Sequence, residues 1–448
     1  MAQKAVNHYV IASEKLNEKF SNIDVVDGRR RAQSFLLEQA FPTQRDEDWQ
    51  YTKLTNFVQK HFEVLGKTVI NPEDIDVFLP PFAVTRLVFV DGWFDEELSD
   101  DFSDMPKGMS LESTRDVFEV PGATDRLYAR EGLINSEAFG VLNNMLMADG
   151  FYLQIPRNMT VETPIFVLYV QTQENHISTL RNHVVLEENS EITLIEKYVS
   201  LAGQDNFEAC TNVVTEIDIA QSARMRQVIT QQQHESAYYF NNQFVFQADK
   251  SDYNTFYAGL GCQLSRHQNH LFMNGEHIES NQNSACLARG KQVVDSRTDT
   301  QHNQEWGASK QLHKYVLSDS AVGVFNGMIR VDQQAQKTDG QMDNKNLLLS
   351  NVAKMNTKPQ LEIYADDVKC SHGSATGQIN NDQVFYLQAR GIPRIQAIEM
   401  ITQAFLMEPA ETINNALIKK WVMEALFSAL TSGGYFNEAK AIVEKVSE

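Results

Sequence analysis

Cys370 and His372 are the residues of this chain whose types and spacing best suit chemistry. They stand two apart in the run PQLEIYADDVKCSHGSATG, residues 359–377. Its first half alternates Leu361, Ile363 and Ala365 against Glu362 and Tyr364, the period of a β-strand. In an extended chain, residues i and i+2 share a face about 6.6 Å apart, so the thiol and the imidazole would project together. These are the borderline-soft ligands that zinc, iron and iron-sulfur chemistry prefer, yet two of them cannot close a tetrahedral site. Completion has to come from elsewhere in the chain or from another polypeptide. Gly373, Ser374, Ala375 and Gly377 follow, small residues beside which a second backbone can pass closely. The plain alternative is a buried apolar cysteine, since free cysteine is among the most buried residue types.

Other constellations carry less. Cys262, His267, His270 and His277 form a loose ligand set, but along strands alternate residues point to opposite faces. His302 and His313 stand alone. Asp366 and Asp367 could be read as the paired carboxylates of a glycosidase, but neighbours on a strand diverge, and a solvated turn ahead of Cys370 is the simpler reading. There is no GxxxxGK[ST] run, so ATP hydrolysis by this chain is not expected. Gly259 and Gly261 begin a dinucleotide fingerprint that Leu264 breaks, and neither GxSxG nor HExxH occurs. Cys210, Cys262, Cys286 and Cys370 show no CxxC spacing, which fits free thiols in a reducing compartment, the first three in the core.

The elements that must position these residues fall into three regions: 1–150, 151–378 and 379–448. A chain of 448 residues, 42% hydrophobic and 22% charged, exceeds one typical core. Its net charge of −20 argues against nucleic acid as a partner. The N-terminus has no basic-then-apolar leader, and IFVLYV at 165–170 is far short of a membrane span. In the first region SEKLNEKF, RRRAQSFLLEQAF and KLTNFVQKHF read as helices, with PTQRDEDWQYT at 42–52 as a packing segment. RLVFVDGWF reads as a strand ending at the turn pair Asp91-Gly92, and 136–147 as a helix.

From about 150 to 378 helical periodicity gives way to short β-rich runs. Polar turns recur at Asn189, Gln221, Lys250, Glu276, Asp319 and Asn351, mostly at intervals of roughly 26 to 32 residues, with a longer gap near 300 where GKQVVDSRTD at 290–299 would supply another unit. That period suits coils of a β-helix, each of two or three strands; Asn274-Gly275 and Asn326-Gly327 would suit a hairpin-built sandwich instead. After Gly377 the period returns to 3.6. Asn381 and Asp382 could cap a first helix, Pro393 opens a second that Pro409 breaks, Thr412 could cap a third that Gly433-Gly434 ends, and 435–448 reads as a last one. Their apolar faces need a cover, which the β-helix end or a partner would provide.

ADDVKCSHG at 365–373, between NTKPQLEIY and FYLQARGI, closely resembles the SufB/SufD family of scaffold subunits of the SUF iron-sulfur cluster assembly machinery. FNGMIRV at 325–331, QKTDG at 336–340, NKNLLLS at 344–350 and PTQRDEDWQYT extend the likeness over most of the chain. The likeness is to the SufD side, because SufB subunits typically carry a His-Glu-rich segment where this chain has Cys-Ser-His. The resemblance implies a mainly β fold: a right-handed parallel β-helix core flanked by N-terminal and C-terminal α-helical regions. It implies a non-catalytic scaffold in the cytoplasm, pairing with SufB through the β-helix cores, with homodimers possible when it is alone. The ATPase SufC would dock on the C-terminal helices, where Phe385, Tyr386, Ile398, Phe405 and Trp421 stand. A transient iron-sulfur cluster, none bound permanently, would sit at the subunit interface, with His372 as its ligand and Cys370 as a nearby thiol. No membrane or nucleic-acid partner follows. The alternatives are a β-helix carbohydrate-active enzyme, exported or cytosolic, and a self-associating SufB-like homodimer.

Overall fold

A computed structural model describes residues 2–20, 22–102, 105–120, 129–201 and 207–436. Two sheets, of ten and nine strands, face one another, and the chain passes from one to the other at each turn. Apart from the antiparallel Trp93–Phe94 and Ser110–Ser113 at the first edges, each strand pairs in parallel with the strand one coil later, so Tyr238–Gln247 lies beside Leu264–Met273 and Asp252–Gly259 beside Glu279–Ala288. The result is a parallel β-helix of about eight turns, two strands to a turn. The strand expected around 86–94 is Thr85–Val90, and it joins this sheet beside Ile165–Gln171, ahead of residue 151.

Sheets covered on both faces lose their apolar-polar alternation. Ile177–Leu186 and Cys210–Ile219 are buried at nine of ten positions each, which is why period-two patterning fades in the sequence. One corner of each coil is set by a residue in the left-handed region. Asn158, Asn189, Ser222, Lys250, His277, Trp306 and Lys337 all have positive φ, between 56° and 64°. The N–H of each donates to the corner of the next coil, as Asn189 does to the Gln221 carbonyl at 3.0 Å and Trp306 to that of Gln336 at 3.0 Å. Asn189, Gln221, Lys250 and Glu276 mark this corner as expected. Asp319 and Asn351 belong to the opposite one, and Glu305–Trp306 fills the gap near 300. Two polar corners per coil look alike in sequence, which is what mixed them.

Helices cover both flanks. Ala2–Asn17, Ile23–Gln39 and Ala138–Leu146 lie on the nine-stranded sheet, where Phe57, Phe62 and Phe139 meet Tyr238 and Phe240. The expected helix KLTNFVQKHF is only a short 3-10 turn, Phe57–Gln59. Phe57 and Phe62 both insert beside Tyr238, and the chain runs extended after Lys60 to bridge Glu63 with His176. At the other end Asn381–Gln388, Arg394–Ala410 and Ala416–Ser432 lie on the outer face of the ten-stranded sheet, Leu406, Ile418 and Leu426 against Phe166, Ile195 and Phe256. The caps are Asn380 and Asn415 rather than Asn381 and Thr412, and Pro409 sits in the last turn of its helix. The helix expected over 435–448 lies outside the described residues beyond Phe436. The apolar helical faces are thus covered by the side of the β-helix, and among the described residues its last coil stays uncovered.

Candidate functional site

Lys354–Ile363 and Lys369–Gln378 are the outermost strands of the two sheets, each paired along one edge only. Every residue in both is exposed or half-buried, unlike the strands of the earlier coils. Residues 359–377 are therefore two strands on opposite sheets, divided by a turn. Leu361 and Ile363 belong to one and Cys370 and His372 to the other. The turn holds Asp366 and Asp367; Asp367 is ion-paired with Lys337 and its N–H donates to Gln336 Oε1 at 2.9 Å, so the acidic pair is a corner and not a catalytic dyad.

Cys370 and His372 lie on the inner row of the last strand, over the open end of the β-helix. In register beneath them are Gly340 and Met342. A Cβ on Gly340 would stand 3.3 Å from Ile329 Cγ2 and 3.4 Å from Cys370 Sγ, so the thiol lies in contact range directly over this position. Met342 is buried and floors the site below His372. Across the gap Ser374 Oγ donates to Thr357 Oγ1 at 3.2 Å, tying the two end strands together, while His372 is exposed. Burial pushes the Cys370 thiol up, Asp339 nearby adds to it and a hydrogen bond with the Gly340 backbone opposes it. The site thus offers a thiol that holds its proton and an accessible imidazole, beside two unpaired strand edges.

The floor escaped sequence reasoning, although its signal lay in the quoted motifs. In QKTDG, Lys337 turns the corner, Thr338 Oγ1 donates to the Ala335 carbonyl at 2.9 Å and Gly340 lies directly beneath Cys370. In FNGMIRV, a Cβ on Gly327 would collide with Met342 Sδ. The looser ligand set does not assemble. Cys262 and His277 occupy opposite corners, His267 points inward against Tyr257, and His270 points outward against Phe244. Cys210, Cys262 and Cys286 are buried, and burial pushes their thiols up, that of Cys286 to about 12.

On the C-terminal flank Phe385 and Tyr386 are 72% and 57% exposed. Phe405 is partly buried, with the Lys314 ammonium 4.2 Å from its ring centroid and bonded to its carbonyl at 2.8 Å. Ile398 and Trp421 are buried against the sheet, so packing occupies the faces that sequence reasoning offered to a partner. No helix among the described residues is long and apolar enough to cross a membrane.

Fold and site together define a parallel β-helical protein whose last coil, among the described residues, leaves one edge of each sheet unpaired beside a half-buried thiol and an exposed imidazole. The family profile described as SUF system FeS cluster assembly, SufBD core domain, matches residues 169–405, and that of the SufBD protein N-terminal region matches 1–167. The iron-sulfur cluster assembly protein SufD of Escherichia coli (strain K12) is 33% identical over 404 residues, covering 89% of this chain and 91% of that protein. A SufBD family iron-sulfur cluster assembly protein of Synechocystis sp. is 30% identical, with 87% of each covered, and the chloroplastic protein ABCI7 of Arabidopsis thaliana is 29% identical over 86% of this chain and 82% of its own length. The chain belongs to the SufBD family of iron-sulfur cluster assembly proteins and is a homologue of SufD. Membership implies a place in a SUF complex beside other subunits.

Proposed function

We propose that the chain is a non-catalytic, cytoplasmic scaffold subunit that docks its open β-helix end onto SufB, the nascent cluster being held as cargo in the seam. The observation that carries this reading is a half-site on a bare end: Cys370 and His372 share one face, and no group of three or more His, Cys, Asp or Glu side chains among the described residues is placed to hold a metal. Two strands of ten residues, each with one free edge, are a template for another chain. Binding of iron would expel the proton that burial keeps on Cys370, while His372 ligates directly. The same edges can pair with a second copy when the chain is alone.

SufC would dock on the exposed rings of Phe385 and Tyr386 and the rim of Phe405, with Ile398 and Trp421 setting the helices from beneath. ATP turnover there would act on the seam by favouring one arrangement of the helices over another. The cluster leaves with its recipient, and neither nucleic acid nor membrane takes part. Placement of Asp366 and Asp367 on a corner speaks against the carbohydrate enzyme. Reconstitution with SufB and SufC tests the reading: His372→Ala should lower cluster yield with the melting temperature unchanged, and undiminished yield would remove His372 from the site. Size-exclusion of the chain alone and with each subunit separates heterodimer from homodimer.

A further inference from the structure

The run PTQRDEDWQYT lies apart from Cys370, His372 and the C-terminal flank, yet it reaches the open end across the outer face of the nine-stranded sheet. Trp49 is buried, its ring 5.6 Å from that of Phe139, and the Arg266 guanidinium lies 3.9 Å from its centroid. Arg266 also donates to the Asp48 carbonyl at 3.0 Å and to Asp295, and Thr52 Oγ1 donates to the same Asp295. This anchors the loop on two coils. Ahead of the anchor, Asp48 pairs with Arg297 at 2.8 Å and accepts from Asn326 Nδ2 at 3.5 Å, and Glu47 pairs with Lys358.

Arg297, Asn326 and Lys358 are register partners in three successive strands. The acidic residues therefore follow one row of the sheet outward, coil by coil, to its last strand. A slip of one residue in Lys354–Ile363 would carry Lys358 to the inner face and break the match. That strand is paired along its full length with Val322–Val331 but has a neighbour on one side only, so its outer edge is left unsupported. We infer that residues 46–52 are a strap that holds Lys354–Ile363 in the register and position needed for subunit docking, with Glu47 and Asp48 as positioning residues. The inference rests on the reading of this end as the docking surface.

The test uses the full chain carrying Glu47→Gln and Asp48→Asn, both at exposed positions. Losing two solvent-facing ion pairs should quicken hydrogen exchange of the paired amides in 354–363 about fivefold, leaving 238–247 and 369–378 unchanged. Affinity for SufB, measured by calorimetry, should fall in parallel. A general loss of stability would not respond to charge exchange, whereas Glu47→Lys with Lys358→Glu should restore both protection and affinity. Unchanged exchange beside normal SufB binding would overturn the strap alone. Failure of the unaltered chain to bind SufB would overturn the docking reading, and the inference with it.

Discussion

Replacing Lys197 with methionine should stabilise the chain at neutral pH, and the gain should fade as the pH rises. Lys197 leaves the outer face of Glu191–Ser200 and is 6% exposed, beneath the helix Ala416–Ser432. Its ammonium lies 4.8 Å from the Trp421 ring centroid and 5.8 Å from that of Phe78, and no carboxylate pairs with it among the described residues. Burial lowers its pKa from 10.5 to about 8. The folded chain thus releases this proton near pH 8 and the unfolded chain near 10.5. In that window the unfolded state binds more protons, so stability climbs with pH. Below it both states are charged, and the full cost stands at about 3 kcal/mol, from about 1.4 kcal/mol for each tenfold change. The two rings return about 1 to 2 kcal/mol. Lys197→Met, which keeps an aliphatic stem under Trp421, is then expected to gain about 1 to 2 kcal/mol at pH 7. Urea unfolding of both proteins at pH 7, 8.5 and 10 measures it. A difference that stays flat across this range, or a loss at pH 7, would refute the picture of a cation buried without a counter-charge.

Trp421→Ala should destabilise the isolated chain by about 3 to 5 kcal/mol, seen in urea unfolding, since it empties a packed seam. Phe385→Ala with Tyr386→Ala should leave unfolding unchanged and weaken SufC binding in a pull-down; a stability loss there would move these rings into the core. Gly327→Ala should cost about 1 to 3 kcal/mol by pushing Met342 aside under His372, visible as a lower melting temperature. Iodoacetamide followed by mass spectrometry should label Cys370 before Cys210, Cys262 and Cys286, and more slowly below pH 8 than a free thiol, because burial keeps the Cys370 proton on.

The shared face of Cys370 and His372 was legible in the sequence because it needs only a two-residue spacing, and strand geometry supplies the rest. The β-helix was legible from the spacing of its polar corners, though Asp319 and Asn351 were assigned to the wrong one, since local composition does not say which of two corners a turn serves. KLTNFVQKHF misled because Leu54, Phe57 and Val58 keep helical spacing, while tertiary burial of Phe57 and Phe62 decides the conformation. Ile398 and Trp421 read as partner-facing because an apolar helix stripe is silent about what lies on it. Lys358 lies 311 residues from Glu47 in sequence, and only the stacking of coils brings it under the loop that carries Glu47 and Asp48.

The regular corner has a consequence for how the chain can change length. Duplicating one whole coil would preserve every corner hydrogen bond and carry Cys370 and His372 outward by one strand spacing, about 4.8 Å. Glu47 would then face the penultimate coil and Lys358 would lose its mate. The loop at 42–52 acts as a ruler, and it fixes how many coils may lie between the N-terminal helices and the exposed rim.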